Sequence, residues 1–115
     1  MLPRENRLTE DYDFRKLQRY GRTFRTPYFN FVVNVNKFPE KPSRFAFVVS
    51  KRLDKRATVR NRLRRRLCEA LQGNLSSLRP GFDGAFYPRA LMINKPYEEI
   101  VHCLNQLLPK TLLLK

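Results

Sequence analysis

"YFNFVVNV", Tyr28 to Val35, decides how the rest of the chain must be arranged. Phe29, Phe31, Val33 and Val35 alternate with Tyr28, Asn30, Val32 and Asn34. A period of two is the mark of a strand, whose successive side chains point to opposite faces. One face is wholly apolar and has to meet the protein's own core. The other carries a ring, two amides and a valine. Sheet faces left to plain water usually carry more charge, so this semi-polar face reads as a binding surface.

Working outward, Thr9 can cap a helix from about Glu10 to Tyr20, with Glu10, Asp11 and Asp13 near its start and Arg15, Lys16 and Arg19 behind them. That order of charge suits the helix dipole. Phe14 and Leu17 share one face, and Gly21 is a stop. Downstream, Pro39 and Pro42 punctuate a loop from Asn36 to Ser43. "RFAFVVS", Arg44 to Ser50, follows as the expected hairpin partner of the first strand. After a basic loop, Lys51 to Arg56, a helix is predicted from about Thr58 to Gln72. "FDGAFYP", Phe82 to Pro88, is a third strand whose Gly84 and Pro88 favour an edge or a strand end. A last helix starts near Pro96, carries Ile100, Val101, Leu104, Leu107 and Leu108 as its apolar stripe, and ends at Pro109. The order αββαβα predicts an α+β fold, a small two-layer sandwich, with residues 1–115 as a single domain.

The charge is concentrated in one place. The 115 residues hold 24 Lys and Arg against 10 Asp and Glu, a net +14. Lys51 to Arg66 alone contains nine basic residues and one acid, Asp54. Advancing about 100° per residue from Val59 puts Val59, Leu63, Leu67, Ala70 and Leu71 within one third of the circle. Asn61, Arg65 and Gln72 fall opposite, with Arg62, Arg64 and Arg66 between. Arg60 lies at the edge of the leucine seam and is expected to rest against the domain body. The seam anchors the helix and leaves a basic face that only Glu69 on the same helix can offset. Like charges four residues apart repel by a few tenths of a kcal/mol per pair. Phosphate relieves that repulsion and accepts paired guanidinium bonds. A solvated charged face normally mixes signs, and a membrane-surface helix needs an exposed apolar face that this one spends on its core. The reading is a polyanion-binding domain, with nucleic acid favoured over an anionic membrane surface.

No run of about 18 apolar residues is present, and the charged start lacks the apolar stretch of a signal peptide, so a cytoplasmic protein without membrane contact is expected. Cys68 and Cys103 lie in helical patterns, without zinc-site spacing, and read as free thiols. His102 stands alone among apolar neighbours, and no nucleophile–base pair or metal cluster stands out. No catalytic or metal-binding residue is therefore assigned.

"RLTEDYDFRKLQRYGR" (Arg7 to Arg22), "FVVSKR" (Phe47 to Arg52) and "RNRLRRRLCEAL" (Arg60 to Leu71) together resemble the bacterial ribonuclease P protein subunit. The resemblance continues through "FDGAFYPRA" and "YEEIVHCLNQLL" and covers nearly the whole chain. It implies a small subunit of a ribonucleoprotein in which a catalytic RNA, with magnesium, cuts the 5′ leader from precursor tRNA. It also implies a left-handed βαβ crossover, and no obligate protein partner is expected. Carried over by position, Arg60, Asn61, Arg62, Arg64 and Arg65 match the box that faces the catalytic RNA. Lys51 and Arg52 match the basic pair at the strand end, and Lys55 and Arg56 belong to the same basic loop. Phe14 matches the aromatic of a leader-binding cleft whose strand side would be Tyr28, Asn30, Val32 and Asn34. Three departures stand out: "DKR", Asp54 to Arg56, makes the loop one residue longer, Gln18 replaces a second cleft aromatic, and Val32 stands where the cleft strand often has a ring. The alternative from a different class is a ribosomal protein with a structural role on rRNA.

Overall fold

The structure, a computed structural model, describes residues 2–111 and 113. Its regular elements are α1 (Asp11–Tyr20), β1 (Arg22–Arg25), β2 (Phe29–Val35), β3 (Arg44–Phe47), α2 (Ala57–Gln72), β4 (Phe82–Pro88) and α3 (Tyr97–Leu107), joined in places by single 3-10 turns. The α+β class is as expected, with one strand more than the predicted order. The four strands form one mixed sheet in the order β1-β2-β4-β3. β1 and β2 are antiparallel, as are β2 and β4, while β3 runs parallel to β4.

Two expectations are corrected by that order. The hairpin partner of β2 is β1, not the strand from Arg44. The turn between β1 and β2 is built by Thr26, whose hydroxyl donates to the Phe29 carbonyl (2.6 Å) and accepts from the Phe29 amide (3.0 Å). β3 is separated from β2 by β4, because the chain leaves β3 through α2 and returns beside it. β4 is likewise central rather than an edge. Pro88 is tolerated because it is the last residue of the strand, opposite Phe29. Gly84 is needed there because a Cβ would fall 2.8 Å from Phe31 Cε1 and 3.0 Å from Phe45 Cδ1. The missing side chain makes room for aromatic packing instead of marking a weak strand.

That packing is the core. Phe86 stacks on Phe31 (centroids 4.4 Å apart) and on Phe47 (5.4 Å), with Phe29 and Phe45 tilted around it. α2 and α3 cover this face. Val59, Leu63, Leu67, Ala70 and Leu71 are all buried, as the angular reading of α2 requires, and Cys68 joins them. Ile100, Leu104, Leu107 and Leu108 close the layer from the α3 side. Leu113 is fully buried, and its carbonyl accepts from the Arg79 amide at 2.7 Å, so part of the apolar tail belongs to the core. Leu112, Leu114 and Lys115 lie outside the described residues.

α1 sits on the other side of the sheet. Its start is at Asp11, one residue later than expected, and Glu10 rather than Thr9 takes the N-cap without a side-chain bond. Asp11 and Asp13 still place negative charge in the first turn. Leu17 packs with Leu8, Val32 and Ala85 in a second, smaller apolar cluster. Gly21 permits this docking: a Cβ there would lie 2.5 Å from both the Leu17 carbonyl oxygen and Val32 Cγ1. No helix of the described residues is long and apolar enough to cross a membrane.

Candidate nucleic-acid interface

The leucine seam of α2 faces the core, so its remaining positions must face outward. Asn61 and Arg65 are exposed, and Arg62 and Arg64 are half-buried at the flanks. Lys51, Arg52 and Lys55 are exposed in the turn that precedes the helix. Among the described residues, the one acid-paired cation between Lys51 and Arg66 is Arg56. The other eight basic groups keep their charge uncompensated by any carboxylate within ion-pair distance.

The extra residue of the loop has a visible use. Asp54 accepts from the Arg56 side chain at Nε (3.0 Å) and Nη2 (2.9 Å), and from the Arg56 backbone amide (2.8 Å). These bonds hold the Asp54 carboxyl at about 2, below its ordinary value of 3.8, and raise the Arg56 guanidinium. Arg60 closes the same loop from the helix. Its Nη1 donates to the carbonyls of Asp54 and Lys55, each at 2.9 Å. Arg60 thus rests against the domain body, as its angular position required. Arg66, left out of the predicted set, donates to the Lys95 carbonyl at 2.7 Å and ties α2 to the loop before α3. Arg64 donates to Asn61 Oδ1 at 2.8 Å, so these two side chains are oriented together. The Arg62 Nε is buried without a hydrogen-bond partner in the protein.

The opposite face of the sheet carries the second candidate surface. Strand register places Asn30 beside Tyr87 on β4 and Arg25 on β1, Val32 beside Ala85 and Thr23, and Asn34 beside Asp83. Phe14 packs half-buried at the edge of the small cluster under α1. Val32 is 9% exposed and lies beneath Leu17, so it serves as the floor under α1 and offers little surface to a ligand. The accessible parts of the cleft lie on either side of it. At one end a cavity of about 160 Å³ is lined by Tyr12, Lys16, Asn34, Asn36 and Lys37 among others. Its wall is fixed by Arg44, which binds Asp83 through two nitrogens (2.9 and 2.8 Å) and reaches Asp13 of α1 at 3.3 Å. At the other end Gln18 donates to the Tyr87 hydroxyl (3.1 Å). There the Asn30 Oδ1 is buried with no partner.

Tyr28 is not brought together with the other cleft residues. Its hydroxyl donates to Glu99 Oε2 (2.9 Å), the Lys95 ammonium lies 6.0 Å from its ring, and the ring packs against the main core. The hydrogen bond to Glu99 raises its pKa. Alternation fails here because β2 begins at Phe29 and Tyr28 belongs to the Thr26 turn. Tyr87 and Arg25 were missed. Tyr87 packs with the small cluster under α1 and accepts from Gln18, and it comes from β4, which sequence alone reads as an edge or a strand end. Arg25 belongs to β1, where "RTFR" has a single apolar residue and gives no alternation. Tyr20 is exposed, with the Arg19 guanidinium 5.5 Å over its ring.

What the arrangement can do chemically is bind. The exposed His102 has no carboxylate hydrogen-bonded to it, and among the described residues no three His, Cys, Asp or Glu side chains gather as a metal site. Guanidiniums on one face and rings with amides on the other suit phosphates and unstacked bases respectively.

Comparison with known proteins gives a consistent answer. The model of the family described as ribonuclease P matches residues 2–112. The ribonuclease P protein component of Synechococcus elongatus is 45% identical over 85 residues, 72% of this chain and 70% of that protein. That of Microcystis aeruginosa is 31% identical over 111 residues, 95% and 92% of the two chains. The solved RNase P protein from Thermotoga maritima superposes with a TM-score of 0.79 at 26% identity, covering 91% of this chain and 96% of that one.

Proposed function

The chain belongs to the ribonuclease P protein family, and from that premise we propose how its two surfaces divide the work. It is the protein subunit of an endoribonuclease holoenzyme that acts in tRNA processing, and its partner there is RNA. The relatives named above do not favour the ribosomal alternative. The finer reading is that residues 1–115 act as one RNA-binding domain in the cytoplasm. Its α2 face docks on the catalytic RNA through Lys51, Arg52, Lys55, Asn61, Arg62, Arg64 and Arg65. Arg56 and Arg60 hold the loop that presents them. The face under α1 receives the 5′ leader of precursor tRNA through Phe14, Asn30, Asn34 and Tyr87.

The observation that carries this reading is the near absence of internal counter-charge on α2, together with a separate polar cleft on the other side of the sheet. A surface that keeps eight cations unpaired is stabilised by releasing counterions from a polyanion. A strand of leader RNA is instead held by stacking and amide bonds with little sequence choice. Holoenzymes of this family depend on metal. Among the described residues no three His, Cys, Asp or Glu side chains gather as a metal site; we assign magnesium to the RNA and route no step through a protein-held ion. The protein's part is to neutralise phosphate repulsion where catalytic RNA and precursor meet. The test is reconstitution. Purified protein added to the catalytic RNA and precursor tRNA at low magnesium should restore 5′ cleavage. Absence of stimulation would remove the assignment.

A further inference from the structure

A groove of about 540 Å³ runs between the flank of α2 and the edge of β3, where the N-terminal segment pairs through the Leu8 amide and the Phe45 carbonyl (3.0 Å). Its apolar wall is made by Leu8, Ala46, Phe47 and Cys68 with Leu2 and Phe45 behind them. Phe47 is half-buried and lies parallel to Phe86, 11° between planes, so the ring is held flat from the core side. Charge rings the apolar surface: Arg7, Asn61, Arg64 and Arg65 also line the groove. Arg7 is fixed by its Nε bond to the Leu2 carbonyl (2.8 Å), and Asn61 by the bond it accepts from Arg64. Since Asn61 Oδ1 is taken by Arg64, its Nδ2 remains as a donor. The volume is that of a small-molecule site, and the pattern of apolar wall and few placed polar groups matches one.

We propose that this groove receives one unstacked nucleotide of the catalytic RNA, its base against Phe47 and its phosphate on Arg64 and Arg65. The inference rests on the proposed function and sharpens it. The argument is complementarity. A nucleotide is a flat apolar plate with an anionic edge, and the groove is a flat aromatic wall with a cationic rim. Proteins that read folded RNA take splayed-out bases onto such rings. The occupant belongs to the catalytic RNA rather than the leader, because Asn61, Arg64 and Arg65 of the rim are α2 side chains, whereas the leader cleft is built by α1 and the Asn30–Tyr87 side of the sheet. Asn61 then has a second use, as a donor to an acceptor on the base edge.

Two measurements test this. In the first, Phe47→Leu removes the flat ring from the groove without removing any cation. Binding of the catalytic RNA should weaken about tenfold while its salt dependence stays that of the unaltered protein, since no phosphate contact is lost. Leaders of different length should make no difference. Unchanged affinity, or a loss confined to precursors with long leaders, would overturn the proposal. In the second, the unaltered protein is titrated with millimolar AMP and UMP and, separately, with ribose 5-phosphate, followed by amide NMR. The nucleotides should shift Leu8, Phe47 and Cys68, and ribose 5-phosphate should not. Equal shifts from ribose 5-phosphate, or none from the nucleotides, would also overturn it. This arm stands even if Phe47→Leu does not fold. If the unaltered protein stimulates the catalytic RNA and both arms fail, the groove assignment falls alone. If it gives no stimulation, the functional reading falls first.

Discussion

Asp54 is the residue at which this chain differs most usefully from a simple basic patch. An acid amid nine cations would be expected to weaken a polyanion site. Here it orders the loop instead, taking three bonds from Arg56 while Arg60 ties the loop carbonyls to the helix. The sign of its pH dependence follows from its lowered pKa. A carboxyl held at about 2 in the folded protein, against an ordinary 3.8, contributes fully above about pH 4 and is lost as pH falls through 2. Carboxyl-carbon NMR should therefore place the Asp54 midpoint near 2, and Arg56→Ala should return it toward 3.8. A midpoint near 3.8 in the unaltered protein would show that the clamp is not formed. Arg60 and Arg65 also separate at this scale. Sequence spacing groups them in one box, yet Arg60 spends its guanidinium on the loop while Arg65 makes no ion pair among the described residues.

At the scale of elements, β4 organises the fold, and it is where a residue-by-residue reading misleads. Gly84 and Pro88 lower strand propensity, but propensity is overridden by what surrounds the strand. The space above Gly84 is filled by Phe31 and Phe45, so glycine is the residue that fits. Gly84→Ala should lower stability by about 1–3 kcal/mol through overpacking, read as a lower urea midpoint with an unchanged slope. A neutral result would mean that the aromatic cluster is looser than its geometry. The helices were legible because a 3.6-residue apolar stripe over sixteen residues of α2 has no other reading. β2 was legible from its alternation. β1 was not, since an edge strand protects itself with arginines and so loses the pattern. The pairing of β3 with β4 was not legible either, because short strands joined by long connections carry no local signal of their neighbour. The cleft was half legible. Asn30 and Asn34 fall where alternation puts them, Tyr28 leaves at the turn, and Tyr87 becomes visible only once β4 is central.

For the whole molecule, the sheet works as a partition. One face is consumed by the core beneath α2 and α3, and that core lets α2 carry uncompensated charge outward. The other face is covered by α1 only in its middle, over Val32, which leaves polar ends beside Asn34 and Asn30. A net charge of +14 is therefore placed, not spread: half of it lies on one helix and the loop that leads into it, nine Lys and Arg against Asp54 and Glu69. Arg44, joined to Asp83 and Asp13, ties α1 to the sheet and so fixes the relation between the two surfaces.

The central claim is that the unpaired cations of α2 dock a folded RNA through its phosphates. The most direct measurement is the salt dependence of catalytic-RNA affinity for the unaltered protein and for a double variant, Arg62→Ala with Arg65→Ala. Each phosphate contact contributes roughly 0.7–0.9 to the slope of log affinity against log salt, so the account predicts a slope shallower by about 1.4–1.8 with the fold intact. An unchanged slope would contradict it.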